Sequence, residues 1–406
     1  MANTQLYPSD DYSRYGGATS QFPKFKLPPQ YTAQLSPNPD YPYTPVNTRH
    51  PTITPAPAAG STGGALRWYD PRGWSLRTKL IVGGVTVAVI VGVIVGAVVG
   101  TKRNRYPDYT PLKYRMVDDY SGTSFFDKFD YFSAQDPTDG FVQYVDQTTA
   151  QNLNLTYATD ESVVVKVDTS NTYAASGRQS VRIESKAHYN DGLFVFDITH
   201  TPYGCGVWPA LWLTDGYNWP TNGEIDVVET NNLATEGNAV TLHSTAGCNM
   251  KVKRKQTGKP NYATCDNSTH GNAGCGVQAE PQSYGEWLNA LGGGVYTLEM
   301  RNAGIRAWFF PRDGIPDDIS NSTPDPSTWG TALADFPSTN CDIPSHFTNQ
   351  SIIVNIDLCG QLGAQPQFYT EQYHCPGTCE NFVAHNAANF TQAYWEFKSF
   401  KVYQAQ

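Results

Sequence analysis

Glu224, Asp226 and Glu229 stand within six residues of one segment, Gly223-Glu-Ile-Asp-Val-Val-Glu229, whose other members are mostly strand formers. Burying carboxylates in a sheet is expensive unless they are paired or put to use. Two carboxyl groups facing one cleft are the minimal equipment for cleaving a glycosidic bond. Side chains on a strand alternate faces, so Glu224 and Asp226 point the same way. Glu229 lies an odd number of positions from Glu224 and should point the other way. One extra residue at Val227-Val228, a β-bulge, would turn it back. The spacing therefore predicts a bulge there, with all three acids on one concave face. Taken alone, the pattern also fits a solvated polar face on an edge strand.

The surroundings are rich in strand signals. Ser162–Val167, Ser180–Ser185, Gly192–Ile198, Val295–Arg301, Ile305–Phe310 and Ser351–Asp357 carry β-branched and aromatic residues between Gly, Pro and Asn turns, and Tyr394–Tyr403 alternates with a break at Ser399. Many short strands without an internal repeat predict an all-β sandwich and weigh against a propeller or β-helix.

Several motifs carry a resemblance. Gly206-Val-Trp-Pro-Ala-Leu-Trp212, Trp219-Pro-Thr-Asn-Gly-Glu-Ile-Asp-Val-Val-Glu229 and Thr241-Leu-His243 together resemble glycoside hydrolase family 16, in its fungal endo-1,3(4)-β-glucanase branch of laminarinase or lichenase type. The likeness covers roughly residues 121–406. It implies a concanavalin-like β-jelly-roll of two curved antiparallel sheets and a retaining reaction on β-1,3 or mixed β-1,3/1,4-glucan. Glu224 would be the nucleophile, Glu229 the general acid and base, and Asp226 the neighbour that tunes the nucleophile. His243 would lie near Glu229 and hold it in orientation. Trp212 and Trp219 are candidate sugar platforms, because pyranose C–H faces pack on indole rings; either also fits a core. Trp208 reads as a core residue. Asn222, beside Gly223, offers either an amide to sugar hydroxyls or a plain turn. In Cys359-Gly-Gln-Leu362, Leu362 stands where many relatives carry a tryptophan. The resemblance implies no cofactor and no catalytic metal; a structural calcium would fit the family, with no ligands to name. A cell-wall β-glucan transglycosylase would use the same acids, whereas a non-catalytic β-glucan-binding lectin would be expected to lack one of them.

Charge and cysteines bound the partners. The formal net charge is −9, which disfavours nucleic acid. Residues 1–79 hold eight Lys/Arg against four Asp/Glu, and the remainder 20 against 33, so the acidic part suits a neutral polysaccharide. The eight cysteines all follow residue 200. Cys375-Pro-Gly-Thr-Cys379 has a spacing zinc could use, but no second Cys/His pair completes four ligands. Disulfides in an oxidising compartment are the reading, with the pairing open.

Residues 1–79, with 12 prolines and seven tyrosines, read as a disordered cytosolic tail. Leu80–Gly100 is a 21-residue apolar run without a charge, long enough to cross a bilayer. Basic residues flank both ends, so they do not set its direction. The sequons at Asn154, Asn267, Asn321, Asn349 and Asn389 all lie beyond it, as do the cysteines. The expectation is a monomeric, single-pass type II membrane protein with a lumenal or extracellular catalytic domain. Residues 101–120 would form a stalk and 121–406 the domain.

Overall fold

The computed structural model describes residues 71–406 apart from Asn104. The expected disordered tail thus lies outside the described residues, except for its last positions. There Pro71–Gly73 form a 3-10 turn and a helix, α1 (Leu76–Arg103), has already begun. The chain divides into two units, Met1–Gly73 and Trp74–Gln406. Within α1, Leu76–Thr101 is apolar and long enough to cross a membrane, and among the described residues none covers it. The hydroxyls of Thr86 and Thr101 donate to the carbonyls of Val82 and Ala97, so the helix leaves neither unpaired.

The first strands are β1 (Tyr114–Ser121), β2 (Phe129–Tyr131), β3 (Val142–Tyr144), β4 (Thr156–Ala158), β5 (Val163–Lys166) and β6 (Arg178–Ser180). Then come β7 (Arg182–Ser185), β8 (Gly192–His200), β9 (Val207–Thr214), β10 (Glu224–Glu229), β11 (Ala239–His243) and β12 (Lys259–Pro260). The last are β13 (Val277–Gln278), β14 (Gly294–Arg301), β15 (Gly304–Pro311), β16 (Ala334–Pro337), β17 (Ser351–Leu358) and β18 (Tyr394–Ala405). Among the described residues they form two eight-stranded antiparallel sheets. One, the site sheet, runs β12-β13-β11-β10-β9-β17-β7-β2; the other, the outer sheet, runs β16-β15-β14-β8-β18-β5-β4, with β1 on β18. A parallel pair, β3 and β6, stands apart. The fold is the expected β-sandwich.

The core lies between the sheets. Phe125, Phe397, Phe400 and Trp395 are fully buried there, and the rings of Phe397 and Phe400 meet at 4.7 Å. The register of β18 on β8 shifts between Phe397 and Ser399, so both phenylalanines face inward across the break. Each such side chain stabilises the sandwich by roughly 1.5–3 kcal/mol. β8 and β14 are largely buried on both faces because a second cluster of Leu193, Val195, Val295, Trp308 and Trp329 covers the outer sheet.

The stalk needs correcting. β1 begins at Tyr114 and pairs with β18. Tyr109 and Tyr114 donate their hydroxyls to Asp335 and Glu299. The second half of 101–120 is therefore domain, its strand disguised by the acidic pair Asp118-Asp119. The cysteines form four disulfides, Cys205–Cys375, Cys248–Cys341, Cys265–Cys275 and Cys359–Cys379, with none free. Cys375 and Cys379 take different partners, so their spacing encloses no metal.

Candidate active site

β10 is central in the site sheet, between β9 and β11. Its register on β9 slips between Asp226 and Val228, and on β11 between Asp226 and Glu229. Val227 and Val228 are both fully buried, so two successive side chains enter the core. That is the bulge the odd offset requires, and it returns Glu229 to the face of Glu224 and Asp226. Asn238 fills the break in the ladder: its amide Nδ2 donates to the Val227 carbonyl and its Oδ1 accepts from the Glu229 N–H, each at 2.9 Å. Gly223 precedes the strand with φ +74°, in the left-handed region, where a Cβ would run into the His346 carbonyl and the Phe347 ring.

Each glutamate meets an indole. Trp208 donates Nε1–H to Glu229 Oε1 at 2.9 Å, and Trp219 donates Nε1–H to Glu224 Oε2 at 2.5 Å. His243, opposite Glu224 on β11, places Nε2 3.2 Å from Asp226 Oδ2, and its Nδ1 lies 2.9 Å from Asn272 Oδ1. The Asn272 loop is closed by Cys265–Cys275. On the other side, Trp212 donates to Asn355 Oδ1 at 2.8 Å, and the Arg182 guanidinium lies over both Trp212 and Phe132.

Burial and mutual repulsion load this cluster with protons. Burial, then the charges of Glu224 and Glu229, push Asp226 well above the usual carboxylate range. Burial pushes Glu229 up as well; the Trp208 hydrogen bond and His243 oppose this, and Glu224 adds to it. Burial alone would lower His243, but the hydrogen bond and charge of Asp226, with Glu224 and Glu229 behind, push it up to about 10. Glu224, Asp226 and His243 each offer an atom within 4.8 Å of the others, a spacing that could hold a cation. A cation there would have to displace the proton that Asp226 favours on His243. The constellation is better suited to holding protons than a metal.

The profile of an XgeA-like, catalytic GH16 domain matches residues 129–403. The chain belongs to glycoside hydrolase family 16. It is 45% identical over 306 residues to a probable glycosidase of Schizosaccharomyces pombe, covering 74% of this chain and 72% of that protein. It is 40% identical over 299 residues to an endo-1,3(4)-beta-glucanase of Arthroderma benhamiae, covering 72% of this chain and 65% of the relative. It spans about half the length of the Aspergillus relatives it matches. Among solved structures, laminarinase 16A of Phanerochaete chrysosporium, with β-glucans in donor and acceptor sites, superposes with TM-score 0.70 at 43% identity over 72% of this chain and 100% of that one. An elongating family 16 β-1,3-glucosyltransferase superposes with TM-score 0.68 at 37% identity over 72% of this chain and all of that one.

Against this family 16 frame, three expectations change. Trp208 is not core: it shares parity with Trp212 on β9, so its indole stands on the site face beside Glu229. His243 makes its contact with Asp226, at 3.2 Å, because Glu224 and Asp226 stay in register with β11 up to the bulge. Asn222 is a turn residue: its amide donates to Asp215 and its carbonyl accepts from Gln350 Nε2 and Thr348 N–H. Asp215 also takes Asn218 and Asn349, and these donors outweigh burial and hold it down at about 2. Trp219, 42% exposed on that loop, and half-buried Trp212 both lie at the site. Asn238, Asn272 and Asn355 were missed; an asparagine opening the strand after a bulged one is the only signal that pointed to any of them.

Proposed function

We propose that this chain is a membrane-anchored, retaining endo-β-glucanase that cleaves β-1,3 or mixed β-1,3/1,4-glucan. The observation that carries it is the bulge in β10, which sets two glutamates on one face with an aspartate between them. Glucanase relatives at 40% identity and a laminarinase at 43% support the substrate class.

Glu224 Oε attacks the anomeric carbon, while Glu229 gives its proton to the departing glycosidic oxygen. The C–O bond breaks and a glucosyl ester forms on Glu224. Glu229, now anionic, takes a proton from water, whose oxygen attacks the same carbon and frees Glu224. The raised affinity of Glu229 for its proton keeps the acid loaded for the first step. Asp226 and protonated His243 sit beside Glu224 and hold the charge balance as the ester forms. Trp212 and Trp219 serve as sugar platforms.

A second reading shares this first half. With a sugar hydroxyl in place of water, the product is a longer glucan, and the likeness to an elongating glucosyltransferase favours keeping it in view. The apolar helix α1 supports anchoring, and the sequons and disulfides beyond it support a type II topology with the domain outside the cytosol. Incubating the full chain with laminarin, lichenan and laminari-oligosaccharides and sizing the products tests both. Shorter products support hydrolysis and longer ones transfer; binding with no change in length would leave a lectin and sink the proposal.

A further inference from the structure

Two buried acids lie outside the β10 cluster and take no part in the steps above. Asp136 and Asp357 are 7% and 2% exposed. Asp357 is the partner of Trp208 across β17 and β9, so both side chains stand on the site face. A Cβ on Gly360 would come within 3.0 Å of both the Trp208 ring and Asp357 Oδ2, and a Cβ on Gly140 would run into the Asp357 carboxyl. With no side chain at either glycine, the loop of residues 136–141, the carboxyl and the indole close on one another.

That loop is laced to the end of β17. Phe141 N–H donates to the Leu358 carbonyl at 2.7 Å, Gln361 N–H donates to the Thr138 carbonyl at 2.8 Å, and Gly140 bridges Cys359. At its centre three donors converge on Asp136 Oδ2: the N–H groups of Thr138 and Gly140, each at 2.9 Å, and the Thr138 hydroxyl at 2.6 Å. Thr138 Oγ1 also lies 3.0 Å from Asp357 Oδ2. A hydroxyl has one hydrogen and two lone pairs. Directed to Asp136, the nearer acid, that hydrogen leaves Oγ1 able only to accept from Asp357. Were both acids ionised, one oxygen would face the hydroxyl unmet, which is costly when buried. The other Asp357 oxygen accepts from Leu358 N–H at 2.6 Å.

The surroundings favour the same assignment. Burial, then the charge of Asp136, pushes Asp357 well above the usual carboxylate range; the Leu358 and Thr138 hydrogen bonds and Arg182 oppose this. Tyr144 also faces it, with its hydroxyl accepting from Asn355 Nδ2, and Asp139 is turned to Gln361 Nε2 instead. A carboxylic acid kept neutral by its surroundings can serve as a hydrogen-bond donor at neutral pH.

We propose that Asp357 is a positioning residue for glucan cleavage: as a neutral acid it donates Oδ2–H to Thr138, and the loop so fastened holds the Trp208 indole where its N–H reaches Glu229. This rests on the glucanase reading, in which Glu229 is the acid. An ionised Asp357 would face Asp136 across a single hydroxyl and drive the loop from the indole.

The test reads the pH profile of laminarin cleavage by the full chain. Asp357→Ala should move the alkaline limb of kcat/KM up by about half a pH unit or more, because Glu229 loses the Trp208 donor and holds its proton longer. In Asp357→Asn the amide can donate to Thr138 and the oxygen can accept from Leu358, so the limb should return to its wild-type place. Trp208→Phe already lacks the donor, so adding Asp357→Ala to it should shift the limb no further. Should Asp357→Ala misfold, Thr138→Val removes the acceptor and should shift the limb the same way. A limb displaced as far in Asp357→Asn as in Asp357→Ala would overturn the proposal, since the charge would then be what matters. So would a loss of turnover with the limb in place, or full additivity with Trp208→Phe, either of which marks a purely structural acid. Infrared difference spectra of wild type against Asp357→Asn at neutral pH need no substrate. A carboxylic-acid carbonyl band should vanish in the variant; a vanished carboxylate band instead would overturn the neutral acid. A wild type that shows the acid band yet leaves laminarin uncut sinks the glucanase reading and the positioning role with it. One that cleaves laminarin without the band sinks only the role of Asp357.

Discussion

Asp226 on β10 and Glu299 on β14 are equally dry, at 2% and 1% exposed, and they live in opposite circumstances. Glu299 is met by Arg306 Nε at 2.8 Å, Arg301 Nη1 at 3.3 Å and the Tyr114 hydroxyl at 2.8 Å. Two cations and a hydroxyl satisfy one carboxylate. Asp226 shares a single imidazole with two further carboxylates. Its surplus of acids over bases is made good by protons. A sheet that buries an acid for structure surrounds it with fixed cations; one that buries acids for chemistry leaves them short, so that protons remain to be moved.

The largest separation between the two regions comes from the paired variants Glu224→Gln and Glu299→Gln. Losing the proposed nucleophile should cut laminarin turnover by about 10^4-fold or more. It should leave the melting temperature unchanged or higher, since one repelling charge leaves the cluster. Glu299→Gln should do the reverse. Two guanidinium groups lose their counter-charge, at about 3–5 kcal/mol of stability, with turnover per folded molecule retained. Thermal denaturation beside a reducing-sugar assay reads both; equal destabilisation by the two would erase the contrast. Glu229→Gln should follow, at about 10^2–10^4-fold on laminarin. An activated aryl β-glucoside needs no proton for its leaving group, so its burst of aglycone should persist. A burst lost to the same extent as polymer cleavage would deny Glu229 the acid role.

The contrast was half legible in the sequence. Alternation and an odd offset sufficed for the bulge, because a buried strand tolerates two inward valines more readily than an inward glutamate. Trp208 was open to the same parity argument as Trp212, since the two lie four positions apart on β9. The partners of the acids were not legible. Asn272 reaches His243 from a loop closed by a disulfide, and Asn355 reaches Trp212 from a strand 143 residues away. Such contacts depend on tertiary register, which no local pattern encodes. β1 was hidden for a different reason: its acidic composition resembles a linker, and the buried Tyr189 hydroxyl that Asp118 accepts comes from a residue 71 positions away.

Asn238 sharpens the comparison at the backbone. Its amide satisfies the N–H of Glu229 and the carbonyl of Val227, the two groups that the bulge removes from the ladder. Asn238→Ala should cost about 1–3 kcal/mol for the unmet groups. Turnover should fall by roughly 10- to 100-fold as Glu229 drifts from its position. Asn238→Asp, which keeps the acceptor for Glu229 N–H, should recover more of the turnover than of the stability. Identical losses in both variants would mean that the side chain only fills space.

Trp208→Phe is the mildest probe and the most specific to the proton. It removes the donor from Glu229 Oε1 while leaving an aromatic ring on the site face. That hydrogen bond favours the ionised form of Glu229 and works against burial. Without it the proton is held more tightly, and the acid stays loaded to higher pH. The alkaline limb of kcat/KM should therefore move up. At its optimum, turnover should change by less than about tenfold, the scale of one hydrogen bond. A limb that moves down would mean that Glu229 titrates under some other control, and the shortage of partners that sets β10 apart from β14 would not govern its chemistry.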